Sequence, residues 1–373
     1  MSESTALTAD QALALASTER GGEALVADLL AARNAAALAA LADRASGVTR
    51  KAARRALNVL RSRGVAIPEA ARVARVGGTE EEELEAFLLP PDTTGMQVVT
   101  VAARSGSGRV RAAVVYLDPA LGLARVDNLP LTQSRLRDHL AGLAPGSGLT
   151  AVRVPVPFAR DRIRVAREAG RARGLAEPLG VTTALPLLEP PPAEPPPHPF
   201  DEEGLVLDAE DARELATRSG ALHQLPEFRA WLPSASAVQE LLVAAGNGLA
   251  GGEADEARVS AALTSEVLAA TDRYFGEELR AELVRRMKDA ALAVLAREGE
   301  ARALEVAATI DVISRCGLVT DPPRDVPFLR GFFEKALAVM AGSSGGRLRI
   351  PVPRVAPTAA GEPAAADAPA ATP

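Results

Sequence analysis

The chain has 373 residues, 47% of them hydrophobic, and a formal net charge of −6. That apolar content excludes a chain disordered throughout, and the negative balance excludes a protein that coats nucleic acid over its whole surface. Its length predicts two or three domains, and Ala and Leu in place of aromatics (3%) predict a mostly helical chain, because both residues lose little freedom in a helix.

Three of the 42 basic residues are lysine, Lys51, Lys288 and Lys335. An arginine excess alongside abundant Ala, Gly and Pro is typical of GC-rich coding, so residue type alone singles out no arginine. Cys316 is the single cysteine, which rules out an internal disulfide and a multi-Cys zinc site. Its apolar helical surroundings predict an inert buried thiol. No run of about 18 apolar residues predicts a membrane span, and the first residues lack a signal peptide's basic and apolar regions. A cytoplasmic location is expected.

Residues 1–20 are expected to be a flexible N-terminus, and 21–90 a region of short helices. Asn34 and Thr49 are predicted N-caps and Gly64 a helix stop. Leu25, Val26, Leu29 and Leu30, then Leu38 and Leu41, then Ala53, Leu57 and Leu60 recur at helical spacing, as antiparallel helices sharing a thin apolar seam would. The stretch from Ala24 to Gly64, above all Ala52-Ala-Arg-Arg-Ala-Leu-Asn-Val-Leu60, resembles a HEAT-type α-helical repeat. That resemblance implies an interaction surface rather than an active site. Thr79-Glu-Glu-Glu82 has the form of a capping box and predicts a further helix start.

The period changes in 94–180. Met96–Ala103 and Val110–Leu117, joined by Ser105-Gly-Ser-Gly108, predict a β-hairpin, and Gly122–Asn128 a third strand. Thr132–Leu143 reads as a helix. Leu149–Val156 reads as a half-buried strand, and Phe158–Arg173 as a helix stopped by Gly174. The order β-β-β-α-β-α is that of one small α/β module. The prolines of 186–199 predict an extended linker and a domain boundary. Residues 201–349 predict a helical bundle, with Asp208 an N-cap and Ala301–Ile313, apolar almost all round, at its centre beside Glu277–Arg297 and Val326–Met340. A disordered Pro/Ala tail is expected over 350–373. The fold class is therefore multi-domain α plus α/β.

No phosphate-binding glycine loop, zinc-protease helix or EF-hand loop is present. His139, His198 and His223 are far apart, and Asp118, Asp127 and Asp138 read as ordinary loop and surface acids. Gly342-Ser-Ser-Gly-Gly346 has the letters of a nucleophile elbow, but a helix, not a strand, is predicted before it. No catalytic, cofactor-binding or metal-ligating residue is assigned, and no cofactor is expected.

Two features point to partners. Between Arg44 and Arg75 nine basic residues face one acid, Glu69, and Arg50, Lys51, Arg54, Arg55 and Arg61 fall on one arc of a helix over 49–63. Such a one-sided stripe suits an anion. It also suits a solvated helix face, or pairing with the acidic run Glu80–Glu85. Phe228 and Trp231, three apart on a short helix bracketed by prolines, form either a partner-binding pair or an aromatic anchor on the bundle. The expected function is a non-enzymatic interaction or scaffold protein that binds a macromolecular partner, most simply a protein. The alternatives are a nucleic-acid or ribosome-associated protein using the basic stripe, and an enzyme with an unrecognised site in the α/β module.

Overall fold

The structure is a computed structural model that describes residues 7–16, 22–45, 47–66, 83–92, 94–105, 108–250, 255–345 and 348–352. The expected mixture is present: an antiparallel sheet in the middle of the chain and helices on either side. No helix among the described residues is long and apolar enough to cross a membrane.

Four helices come first: α1 (Ala9–Ala16), α2 (Gly22–Ala31), α3 (Ala35–Arg44) and α4 (Gly47–Ser62). The Asn34 carboxamide accepts from the Ala37 amide at 3.1 Å and caps α3. Thr49, expected as a cap, lies inside α4, which begins two residues earlier at Gly47. The stretch expected to be flexible contains α1, whose Ala12 is buried. Leu29, Leu38, Leu41, Ala53 and Leu60 build a small core that, among the described residues, no side chain of the sheet or the later helices joins.

The sheet has order β4-β3-β2-β1-β5, from β1 (Glu83–Leu89), β2 (Gln97–Arg104), β3 (Arg109–Asp118), β4 (Gly122–Thr132) and β5 (Val152–Val154). The predicted hairpin is β2–β3, with Arg104 opposite Val110. The module carries one strand more than expected. The helix predicted from the capping box is corrected over Glu83–Leu89, which is a central strand paired with both β2 and β5. Thr79–Glu82 lie outside the described residues. Cross-strand pairing outweighs the local charge signal here, and Ala86 and Leu88 are fully buried.

Helix α5 (Gln133–Gly142), capped by Thr132, covers one sheet face through Leu136, which packs with Ala102, Val110 and Ala112. Helices α6 (Val156–Ala172) and α7 (Val181–Leu188) cover the other. Both faces of β2 are therefore dry, which is why its sequence is apolar without alternation.

The proline run differs from expectation at its ends. Pro186 sits inside α7, and Pro199 opens the short helix α8 (Pro199–Glu202), where a missing amide costs nothing. Between them, 189–198 is non-helical and pinned to α6: Arg160 donates to the carbonyls of Leu187 and Pro190, and Arg167 pairs with Glu189. Then come α9 (Ala209–Ala216), capped by Asp208, a 3-10 turn over Ser219–Gln224, α10 (Pro226–Arg229), α11 (Ala235–Leu249), α12 (Glu256–Tyr274), α13 (Glu277–Glu298), α14 (Glu300–Arg315) and α15 (Pro327–Ser343). Their apolar side chains join those of the sheet and α6 in one buried cluster. Helix α14 packs mainly on α13, as expected, and on α9; α15, expected beside it, lies instead against the 3-10 turn and α12. Residues 353–373, most of the expected tail, lie outside the described residues.

Candidate functional site

The basic stripe on α4 is partly spent within the chain. Arg54 Nη1 donates to the Glu203 side chain at 2.6 Å and to the Glu203 carbonyl at 2.9 Å. Arg61 donates to Glu300 at 3.0 Å and to Asn58 at 3.2 Å, and the Ser62 hydroxyl donates to Asp211 at 3.3 Å. Lys51 and Arg55 are exposed, and Arg50 is half-buried. Among the described residues, the acidic partners are thus residues of α9, α14 and the end of α8; Glu80–Glu82 lie outside the described residues. Of that run, Glu83 pairs with Arg104 and Glu85 with Arg153, inside the sheet.

Phe228 and Trp231 are not available to a partner: they are 0% and 3% exposed. Their rings meet edge to face at 5.1 Å, Phe228 also meets Phe328, and the Trp231 indole donates to the Pro91 carbonyl. The pair is an aromatic anchor that ties α10 to α15 and to the loop after β1. Fully burying side chains of this size contributes about 1.5–3 kcal/mol each, which decides for the interior.

The other sequence candidates are also placed. Asp118 accepts from the amides of Ala120 and Leu121, Asp127 pairs with Arg125, and Asp138 is exposed on α5. Ser344 follows the end of α15. Among the described residues, no group of three or more His, Cys, Asp or Glu is placed to hold a metal. His223, on the 3-10 turn, is buried against α15, its Nε2 donating to the Phe328 carbonyl at 2.8 Å and its Nδ1 accepting from Lys335 at 3.0 Å. Burial first, and the Lys335 charge second, push the His223 pKa down to about 4; burial lowers that of Lys335 to about 8. Cys316 donates to the Ile313 carbonyl, and burial raises its thiol pKa, so it stays protonated. It borders a cavity of about 230 Å³ in which Asp311, Asp321 and Asp325 outnumber Arg213 and Arg315.

A larger cleft, of about 400 Å³, opens where the start of β2, the β3–β4 turn, α6 and α13 meet. Its floor is Asp289, a carboxylate with 3% of its side chain exposed. Arg162 of α6 and Gln97 of β2 donate to it at 2.9 and 3.0 Å. His198, at the end of the proline run, donates through Nε2 at 3.0 Å, because its Nδ1 already accepts from the Phe200 amide. Two glycines shape the walls. At Gly122, in the turn before β4, a Cβ would stand 2.4 Å from the Ala166 carbonyl of α6; at Gly95, before β2, it would meet the Arg286 guanidinium at 2.7 Å. Both have positive φ, which glycine adopts freely.

The rim is charged. Arg162, Arg173, Arg285 and Arg286 line the cleft with Asp118, Glu282 and Asp289. Glu282 accepts from both Arg285 and Arg286. Burial works to raise its carboxyl pKa, but the hydrogen bonds from these arginines outweigh it and hold the group below its usual value. Arg173 donates to the carbonyls of Pro119 and Ala120. Each carboxylate is thus committed to partners within the chain. Arg173 and Arg285, each exposed and with five N–H donors, hold donors beyond these contacts. Sequence reasoning missed this cleft, because Gln97 and Asp289 are 192 positions apart and His198 had no ligand near it in sequence.

Comparisons with protein-family models, with curated proteins and with solved structures give no match.

Proposed function

We propose that this chain is a non-enzymatic interaction protein that binds an acidic segment of a protein partner in the arginine-rimmed cleft between α6 and α13. The observation that carries the reading is the surplus of donors. All four arginines of the cleft donate within the chain, but Arg173 and Arg285 are exposed and hold further N–H donors, while Asp118, Glu282 and Asp289 are already hydrogen-bonded. Arg285, with 59% of its side chain exposed, is the most accessible of the ion-paired guanidiniums there. A carboxylate matches the fork of a guanidinium in two parallel hydrogen bonds.

Converging polar side chains are also what an enzyme in this module would have. The groups here favour binding. Among the described residues no His, Cys, Ser, Thr, Tyr or Lys lines the cleft, and its carboxylates accept from arginines or backbone amides. Proton transfer needs a group with a free position toward the substrate.

Fluorescence anisotropy with a labelled oligo-glutamate peptide tests the reading. The wild-type chain should bind it, and Arg173→Glu/Arg285→Glu should bind at least about tenfold more weakly, the usual scale for losing charge-assisted hydrogen bonds. Equal binding by both proteins contradicts it, as does turnover that disappears on Asp289→Asn.

A further inference from the structure

Among the described residues, the N-terminal helices meet the rest of the chain through polar contacts. Their core, with Leu29, Leu38, Leu41 and Leu60, shares no side chain with the cluster that fills the sheet and bundle. Across the boundary the described side-chain contacts of α4 are polar: Arg54 with Glu203, Arg61 with Glu300, Ser62 with Asp211. Glu300 is 57% exposed and Arg61 32%. Ion pairs this open to water contribute little each and weaken as salt screens them. The contact is therefore one that a competing polyanion can displace.

We infer that the basic face of α4 is a binding surface for the phosphate backbone of a nucleic acid, and that Glu203, Asp211 and Glu300 occupy it until the nucleic acid does. The face is a linear array of cations on one helix, with Lys51 and Arg55 exposed for a first encounter and Arg54 and Arg61 reached as the carboxylates leave. Phosphate oxygens match guanidinium geometry as carboxylate oxygens do. An acidic protein fits less well. A protein interface needs an apolar centre, whereas the apolar side of α4, with Ala53, Ala56 and Leu60, is already buried against its own helices. No aromatic residue stands on α4, so bases have nothing to stack on and binding is sequence-independent. This surface is separate from the cleft, and neither assignment depends on the other.

The test uses the full chain, a fluorescein-labelled short duplex DNA and about 50 mM salt, where phosphate contacts are strong. Replacing the cis competitors in Glu203→Gln/Asp211→Asn/Glu300→Gln should tighten binding by about tenfold over wild type. Adding Arg54→Gln/Arg61→Gln should abolish that gain. A control with the same change of net charge, Glu240→Gln/Glu277→Gln/Glu278→Gln, on exposed residues of α11 and α13, should bind as wild type does. The proposal is overturned by no gain in the first triple variant, by an equal gain in the control, or by a gain that survives the arginine replacements. Displacement of the duplex by unlabelled oligo-glutamate as readily as by unlabelled duplex would assign α4 to acidic proteins instead.

Discussion

His198 donates from Nε2 to Asp289 Oδ1 over 3.0 Å, joining the end of the proline run to the middle of α13. The same carboxylate receives Arg162 from α6 and Gln97 from β2. One buried side chain thus ties four segments of the chain together. It is also the floor of the cleft, so fold and site share a residue.

Removing that carboxylate leaves Arg162, 19% exposed, without its counter-ion. Breaking a buried pair from one side costs about 3–5 kcal/mol. Asp289→Ala should lower the urea-melt stability by that amount. His198→Ala, which removes one hydrogen bond to a charged group, should cost about 1.5–3 kcal/mol. A loss below about 1 kcal/mol for Asp289→Ala would show that the hub does not hold the segments together.

Ile310, on α14, is 8% exposed, and α14 packs between α13 and α9. A charge there has no partner, so Ile310→Asp should cost about 3 kcal/mol or more, a large share of a typical stability of about 5–15 kcal/mol. Arg302 lies on the outer side of the same helix, where it pairs with Glu298 and Glu305. Arg302→Asp should cost less than about 1 kcal/mol, as exposed ion pairs do. Equal urea midpoints for the two variants would contradict this placement of α14.

Much of this was legible in the chain, and the exceptions have physical causes. β2 and the middle of β3, Ala112–Val115, stood out because a run buried on both faces stays apolar without alternation. Helices α12 to α15 stood out because their apolar residues recur with helical spacing. β1 was hidden by Glu83 and Glu85, which resemble the acidic first turn of a helix. They alternate with Leu84 and Ala86, a period of two, and pair with Arg104 and Arg153 on neighbouring strands. Phe228 and Trp231 read as an anchor ahead of a binding pair, and their burial, a tertiary property, decides for the anchor. The cleft was out of reach: its side chains come from four segments and meet only when α13 packs on the sheet.

Acid should destabilise the chain through His223. Its pKa falls from 6.5 in the unfolded chain to about 4 in the folded one. Between those values the unfolded chain binds a proton that the folded chain does not, so stability falls as pH drops from 6.5 to 4 and this contribution levels off below. The loss is about 3 kcal/mol, at about 1.4 kcal/mol per pKa unit. His223→Gln, which keeps a donor for the Phe328 carbonyl and cannot titrate, should lack this part of the pH dependence. Parallel stability curves for wild type and His223→Gln across that window would contradict the assignment.

We propose that the arginine-rimmed cleft captures a protein partner. Affinity capture from native lysate on immobilised wild-type chain and on Arg173→Glu/Arg285→Glu, with mass spectrometry of both eluates, tests it most directly. The prediction is a partner carrying an acidic segment that the wild-type chain retains and the variant loses, with the variant still folded by circular dichroism. Identical sets of retained proteins on the two supports would contradict it.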